Sequence, residues 1–297
     1  MGEFRGVYPA IITPMTPDGE INETAFREVM EYNIRAGVHG FWVAGGTGES
    51  ILLTEDENGR IAEAAADQNR GRVKNIMHVG AATTAQAARQ AERAARAGVE
   101  AICAVPPFFY HGPDDDVVEY YRAVGAVTDL PLFIYNLPGA TGVEITPDLA
   151  DKIQEKVPQL AGLKHSAPNF WNIPHFVKMG LDCFTGSGML MVPALTLGAA
   201  GTIDGPPCAA PEPWIAAWDA YHAGDIKAAE AAQERANEMY PPLLSAGYLP
   251  AIKALVGKRL CIDCGSPRPP APQLTPEIMD VVRAEAARLG PVQAPVG

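Results

Sequence analysis

Along about the first 220 residues, short apolar runs alternate with longer stretches of helical period. The runs are Val7 to Ile12, Gly40 to Ala44, Asn75 to Val79, Ala101 to Val105, Leu132 to Tyr135, Leu160 to Leu163, Cys183 to Thr185 and Gly201 to Ile203. Each is brief and mostly apolar, as a strand covered on both faces tends to be. The intervening segments carry helix signals. Asn22 is placed to cap a helix through Ile34, and Thr54 with Glu57 three residues on reads as a capping box before Ile61. Thr83 opens an Ala/Arg/Gln-rich stretch, and Pro147 opens the segment that runs to Pro158. Gly37 and Gly98 stand where a helix ends just before the next strand.

Eight strands alternating with helices predict parallel βα units, and eight such units close into a barrel whose interior is filled by side chains. The expected fold class is therefore α/β, a (β/α)8 TIM barrel with a C-terminal helical extension. An open doubly wound sheet would carry a Gly-x-Gly-x-x-Gly turn after its first strand, where this chain has Thr13-Pro14-Met15-Thr16-Pro17. From about Asp225 the pattern is helical only, with Ala228 to Met239, Pro250 to Val256 and Pro276 to Leu289 as helices. Thr275 would cap the last of these with Pro276 at its first position, after the Pro-rich stretch Ser266 to Pro272. The expected division is a barrel over residues 1–224 and a helical region over 225–297 that covers the barrel or packs on another subunit. The tail after Gly290 is expected to fray.

Composition narrows the function. Hydrophobic residues make up 47% and charged residues 20% of the 297, the profile of a soluble globular protein. A chain of this length buries about three quarters of its unfolded surface, so the core needs no staples. Lys plus Arg is 23 against 35 for Asp plus Glu, a net charge of −12, which argues against nucleic acid or a membrane as partner. No apolar run reaches the roughly 18 residues of a membrane span, and no hydrophobic leader follows Met1. The five cysteines are scattered and odd in number, which predicts free thiols in a reducing, cytoplasmic compartment. Cys261-Ile-Asp-Cys264 has CxxC spacing, but no second Cys or His pair lies near it to complete a zinc site. The six histidines show no two-His metal spacing, and Asp114-Asp115-Asp116 reads as a helix start. No metal or organic cofactor is expected.

In a βα barrel the chemistry sits at the C-terminal ends of the strands. After the second strand comes Gly45-Gly46-Thr47-Gly48-Glu49-Ser50, where glycines permit close backbone approach and successive amides with the Thr47 hydroxyl can hold a small anion. The bland alternative is a tight turn. After the fifth comes Tyr135-Asn136-Leu137-Pro138-Gly139-Ala140-Thr141-Gly142, where Tyr135 can give or take a proton, or simply bond a carbonyl. After the apolar run Leu160 to Leu163 comes Lys164. Lysine is rarely buried without a partner or a purpose, and a desolvated amine can attack a carbonyl carbon to give a Schiff base. An ion pair or a snorkelling side chain is the structural alternative. The three segments together fit one mechanism. A 2-oxo acid places its carboxylate on the Gly45 to Glu49 loop and its ketone against Lys164, and the protonated imine draws electrons from a neighbouring C–C bond.

The GGTGES loop, PPFFY at Pro106 to Tyr110, YNLPGATG from Tyr135 and GLKHS around Lys164 occur in an order and spacing similar to the N-acetylneuraminate lyase/dihydrodipicolinate synthase family of class I pyruvate-dependent aldolases. The resemblance runs from about Phe4 to Thr275. It implies a homotetrameric barrel enzyme with Lys164 as the Schiff-base residue and Tyr135 as the catalytic tyrosine. It also implies that Thr47 and the Gly48 amide bind the pyruvate carboxylate, with the Ile203 backbone lining the site.

The departures bear on substrate. Gly46 replaces the first of two synthase threonines, and Phe109, with Tyr110 beside it, stands where a synthase tyrosine crosses the dimer interface. Ala140 replaces the arginine that holds the second synthase substrate. Ser187-Gly188 stands where sialic acid lyases carry Asp-Glu, whereas Ser166 matches the small hydroxyl residue of lyases. Asp204 and Pro206-Pro207 replace a lyase Gly and Ser, so the distal pocket looks remodelled. The expected function is a lyase or aldolase acting on a 2-oxo acid, forming or cleaving a C–C bond next to pyruvate. Dehydration of a 3-deoxy-2-oxo sugar acid by the same imine is the alternative, and the Gly-Gly-Thr-Gly-Glu loop is similar to that of ketodeoxyglucarate dehydratases. A non-catalytic keto-acid sensor would have no use for a desolvated lysine.

Overall fold

A computed structural model describes residues 3–292, and each of the eight apolar runs forms a strand. They are β1 (Gly6–Pro9), β2 (Gly40–Val43), β3 (Lys74–His78), β4 (Ala101–Ala104), β5 (Leu132–Asn136), β6 (Leu160–His165), β7 (Asp182–Thr185) and β8 (Gly201–Asp204). All pair in parallel in the order β1-β8-β7-β6-β5-β4-β3-β2. The ring closes between β1 and β2 through a bridge from Ala10 to Trp42, with the Ile11 amide donating to the Trp42 carbonyl at 3.1 Å. The architecture is thus a (β/α)8 barrel. The fraying expected of the tail concerns mainly residues 293–297, which lie outside the described ones.

Two strand ends differ from the sequence expectation by more than one residue. The β1 run was expected to reach Ile12, but the regular ladder stops at Pro9. Ala10 makes only an isolated bridge to Trp42, and beyond it the Thr13 hydroxyl donates to the Gly48 carbonyl at 2.8 Å. In the other direction, β6 runs on to His165, past the expected end at Leu163. Lys164 and His165 look like loop residues by polarity, yet they continue the ladder opposite Tyr135 and Asn136. Lys164 therefore projects from near the end of a buried strand, as its place after the apolar run predicts.

Alternation along the strands separates two cores. Tyr8, Trp42, Ile76, Cys103, Phe133, Tyr135, Phe184 and Ile203 form the cluster inside the barrel. Val7, Phe41, Met77, Ile102, Ile134 and Leu163 face outward into the larger cluster beneath the helices. Glycine makes room for the aromatic layer: a Cβ at Gly162 would stand 2.4 Å from the Phe133 ring. The caps are as expected, with Asn22, Thr54 and Thr83 accepting from the amides of Ala25, Glu57 and Gln86.

After β8 come the helices Glu212–His222, Ile226–Asn237, Tyr240–Ser245, Leu249–Leu260 and Pro276–Leu289. The first of these and Tyr240–Ser245 are not marked by the sequence pattern. Proline at the start of each is compatible with a helix, whose first-turn amides lack partners anyway, yet it reads as a break. Between the last two helices the chain forms a strap over the mouth. The Met15 amide donates to the Cys264 carbonyl at 3.0 Å, and Arg268 donates to the carbonyls of Gly19 (2.7 Å) and Leu52 (2.8 Å).

Candidate active site

Lys164 lies inside the barrel near its C-terminal mouth and is 5% exposed. Its Nζ is 3.4 Å from the Tyr135 hydroxyl, 4.5 Å from the centre of the Tyr135 ring and 5.4 Å from that of Trp42. The adjacent strand positions of the two residues put them at one level of the barrel. No carboxylate pairs with this amine among the described residues, so the ion-pair reading of the sequence does not apply. What holds the lysine is an aromatic cage in which Trp42 and Tyr135 meet edge to face, ring centres 5.3 Å apart.

His78 closes the cage below. It is buried, its ring centre is 6.2 Å from that of Tyr135, and its Nε2 accepts weakly from the Val105 amide. Burial, with the Lys164 charge adding to it, pushes the imidazole down to about 4, so it is neutral at physiological pH. Cys103 beside it is raised, chiefly by burial, and stays a thiol.

The Gly45–Ser50 segment folds over the top of this cage. The amides of Glu49 and Ser50 turn back onto the carbonyls of Gly46 (3.2 Å) and Gly45 (3.1 Å), while those of Thr47 and Gly48 have no acceptor among the described residues. Glycine is required at Gly45, where a Cβ would meet the Trp42 indole at 2.5 Å, and at Gly48, where it would stand 2.8 Å from the Ala44 Cα. A Cβ at Gly46 would lie 3.6 Å from the Tyr135 hydroxyl, so the loop borders the lysine–tyrosine pair directly.

The loop is pinned from behind by a buried ion pair. Glu49, in a left-handed conformation (φ 64°), accepts from Lys253 Nζ at 2.5 Å and from the Arg268 amide at 2.6 Å. Both side chains of the Glu49–Lys253 pair are 0% exposed. Burial holds the Lys253 amine below its usual range, and the Glu49 charge opposes that shift.

On the far wall, Asp204 at the end of β8 gathers four donors. Oδ1 accepts from the Tyr248 hydroxyl (2.8 Å) and the Gly205 amide (2.7 Å), and Oδ2 from the Tyr240 hydroxyl (2.7 Å) and the Gly188 amide (2.7 Å).

The family model described as the dihydrodipicolinate synthetase family matches residues 3–288. The chain belongs to this family. Curated relatives include an N-acetylneuraminate lyase of Rhizobium meliloti, 30% identical over 86% of this chain and 85% of that one. A 4-hydroxy-tetrahydrodipicolinate synthase of Methanopyrus kandleri is 29% identical over 97% of both chains. Among solved structures, a sialic acid aldolase of Ruminococcus gnavus with its catalytic lysine mutated superposes with a TM-score of 0.92, at 27% identity and 97% coverage of both chains. Membership places this protein among the class I aldolases and lyases, the enzymes its relatives represent.

Of the residues singled out in the sequence of this family member, the structure brings together Lys164, Tyr135, Gly46, Thr47 and Gly48, with Ile203 in the same inner cluster. Ser166, two residues on from Lys164, has its Oγ packed over Gly186 and its amide bound to the Asn136 carbonyl. Phe109 and Tyr110 stack on each other at the surface, 80% and 82% exposed, and do not reach Lys164 within one chain. Cys261 is exposed and Cys264 buried, both as free thiols. Among the described residues no cluster of His, Cys, Asp or Glu is placed to hold a metal ion, and no helix is long and apolar enough to cross a membrane. Sequence reasoning passed over Trp42, His78, Tyr240, Tyr248 and the Lys253–Arg268 clamp. Lys253 had a usable signal, since a lysine amid Pro250 to Val256 poses the same question as Lys164.

Proposed function

We propose that this enzyme is a pyruvate-type lyase or aldolase in which the Lys164 amine attacks the ketone of a 2-oxo acid. Water leaves and a protonated imine forms. As the C4 hydroxyl gives up its proton, the imine takes the electron pair of the bond between C3 and C4, releasing an aldehyde and leaving an enamine. The enamine takes up a proton at C3, and water hydrolyses the resulting imine to release pyruvate and the free Lys164 amine. In the synthetic direction the enamine attacks the aldehyde instead. The observation that carries this reading is the unpaired, buried lysine 3.4 Å from the Tyr135 hydroxyl. Tyr135 is positioned to move the proton, and the unpaired Thr47 and Gly48 amides, with the Thr47 hydroxyl, to bind the carboxylate. The carboxylate needs these local donors because the net charge of −12 repels it.

The test is borohydride reduction with pyruvate, followed by peptide mapping. One pyruvate-derived adduct on Lys164 is expected; no adduct, or one on another lysine, refutes the mechanism. Product analysis separates C–C cleavage, which releases pyruvate, from dehydration by the same imine, which retains the carbon chain. The exposed Phe109–Tyr110 pair favours a homotetramer in which this aromatic edge is covered by another copy, and light scattering on the purified protein checks the assembly. The free thiols fit a cytoplasmic setting.

A further inference from the structure

We propose that Tyr248, with its hydroxyl proton committed to Asp204, is a specificity-determining residue that accepts a hydrogen bond from a hydroxyl group on the distal part of the 2-oxo acid. The inference rests on the Schiff-base reading of Lys164 and adds to it the chemistry of the part of the substrate that leaves.

The direction of the hydrogen bonds decides what this wall can recognise. A carboxylate only accepts, and the two oxygens of Asp204 already receive two amides and two phenols. Burial first, and then the Asp204 charge, raise both Tyr240 and Tyr248 well above the usual tyrosine range. Each phenol therefore keeps its proton and spends it on Asp204. What Tyr248 can still offer a ligand is a lone pair. The Gly205 amide lies within reach of the same oxygen and takes at most one of the two.

Position distinguishes the two tyrosines. Tyr240 is buried behind Asp204 and packs against Trp214, with ring centres 6.3 Å apart. Tyr248 is half-buried at the mouth. A Cβ at Gly205 would stand 3.0 Å from the Tyr248 hydroxyl and 3.1 Å from Thr47 Oγ1, so the tyrosine borders the anion-binding loop. The backbone is held in a costly conformation to achieve this, with Tyr248 at φ 35° and ψ −71° and its amide tied to the Leu243 carbonyl at 2.8 Å.

The same wall disfavours a second carboxylate. Lys253 and Arg268 are committed to Glu49 and Glu57, and Lys152, downstream of Ala140, is paired with Asp114. An acceptor backed by a carboxylate, with those three cations paired and the reacting Lys164 left free, suits a hydroxyl and repels an anion.

The experiment measures imine formation on Lys164 by borohydride trapping, which needs no turnover, with pyruvate, 4,5-dihydroxy-2-oxopentanoate, 2-oxopentanoate and 2-oxoglutarate as probes. The wild type should half-saturate with the dihydroxy acid at a concentration about tenfold or more below that for 2-oxopentanoate, with 2-oxoglutarate weakest. Tyr248→Phe should bring the two neutral-chain probes to within about threefold of each other, each read relative to the same variant's pyruvate curve. Tyr240→Phe, which removes a bond to the same carboxylate from behind, should keep the preference. If Tyr248→Phe does not fold, Asp204→Asn serves, because releasing the Tyr248 proton should shrink the preference and improve 2-oxoglutarate. A wild type indifferent to the hydroxyls overturns the proposal. So does a Tyr248→Phe variant that retains the preference or weakens all four probes alike. Failure of pyruvate to label Lys164 in the wild type would overturn the Schiff-base reading itself, a distinct result.

Discussion

Replacing Lys253 by methionine removes one member of a fully buried ion pair while preserving most of the side-chain volume. Glu49 would lose its 2.5 Å partner and keep only the Arg268 amide at 2.6 Å, and the Ser266 carbonyl would lose the amine that donates to it at 3.1 Å. Breaking a buried pair from one side costs about 3–5 kcal/mol, because a charge is left without compensation. At roughly 2.1 cal/mol/K per residue, unfolding this chain has an entropy of about 0.6 kcal/mol/K, so the expected fall in Tm is about 5–8 °C. The damage also reaches the site, because Glu49 directly follows Gly48 in the loop that borders the lysine–tyrosine pair. Borohydride trapping of pyruvate should therefore need a higher concentration in the variant, with the adduct still on Lys164. Adding Glu49→Gln to Lys253→Met should cost less than the sum of the single changes, since the second substitution removes the stranded charge. Thermal unfolding followed by circular dichroism, together with the trapping curve, checks all of this. A Lys253→Met protein with wild-type Tm and an unchanged pyruvate curve would refute the idea that this pair holds the loop.

Tyr135→Phe should still form the pyruvate imine, more weakly, while kcat falls by roughly 10²- to 10⁴-fold; a near-native kcat would reduce Tyr135 to a structural part of the cage. Glu57, whose carboxyl the Arg268 guanidinium holds down at about 2, contributes stability that is present above its unfolded value of 4.5 and is lost as pH falls towards 2. Arg268→Gln should remove most of that contribution, on the order of 3 kcal/mol, and flatten urea-unfolding stability between those pH values; an unchanged pH profile would argue against the linkage. Condensation of pyruvate with aspartate semialdehyde should be much slower than with a neutral hydroxyaldehyde. Ala140 offers no charge to a second carboxylate, and Gly46 and Phe109 carry no hydroxyl for a proton relay. Comparable rates in a coupled assay would refute this.

The barrel was legible because every strand is buried on both faces, so mostly apolar runs marked them without ambiguity. Lys164 and Tyr135 stood out for a related reason, each being a polar group at the end of such a run. The residues that escaped notice are of three kinds. Trp42 and His78 lie inside the barrel, where an aromatic or a histidine reads as ordinary core. The helix containing Tyr240 carries two prolines in its first turn, which mask it from a periodicity reading, whereas Lys253 was passed over inside a helix the pattern did mark. Tyr248 meets Asp204, which the sequence did single out, only in three dimensions, 44 residues away in sequence, and no local pattern encodes that meeting.

The clamp on the Gly45–Ser50 loop also sets a schedule for synthesis. Its anchors on Glu49 come from residues 204 and 219 positions downstream. At about 5–20 residues per second, the loop leaves the ribosome roughly 10–40 s before Lys253 exists to hold it. During that interval Glu49 has no cation at its side, and burying it alone would be unfavourable. The packed form of the Gly45–Ser50 loop therefore depends on a strap made long after it, so the mouth of the barrel is completed only after all eight of its strands.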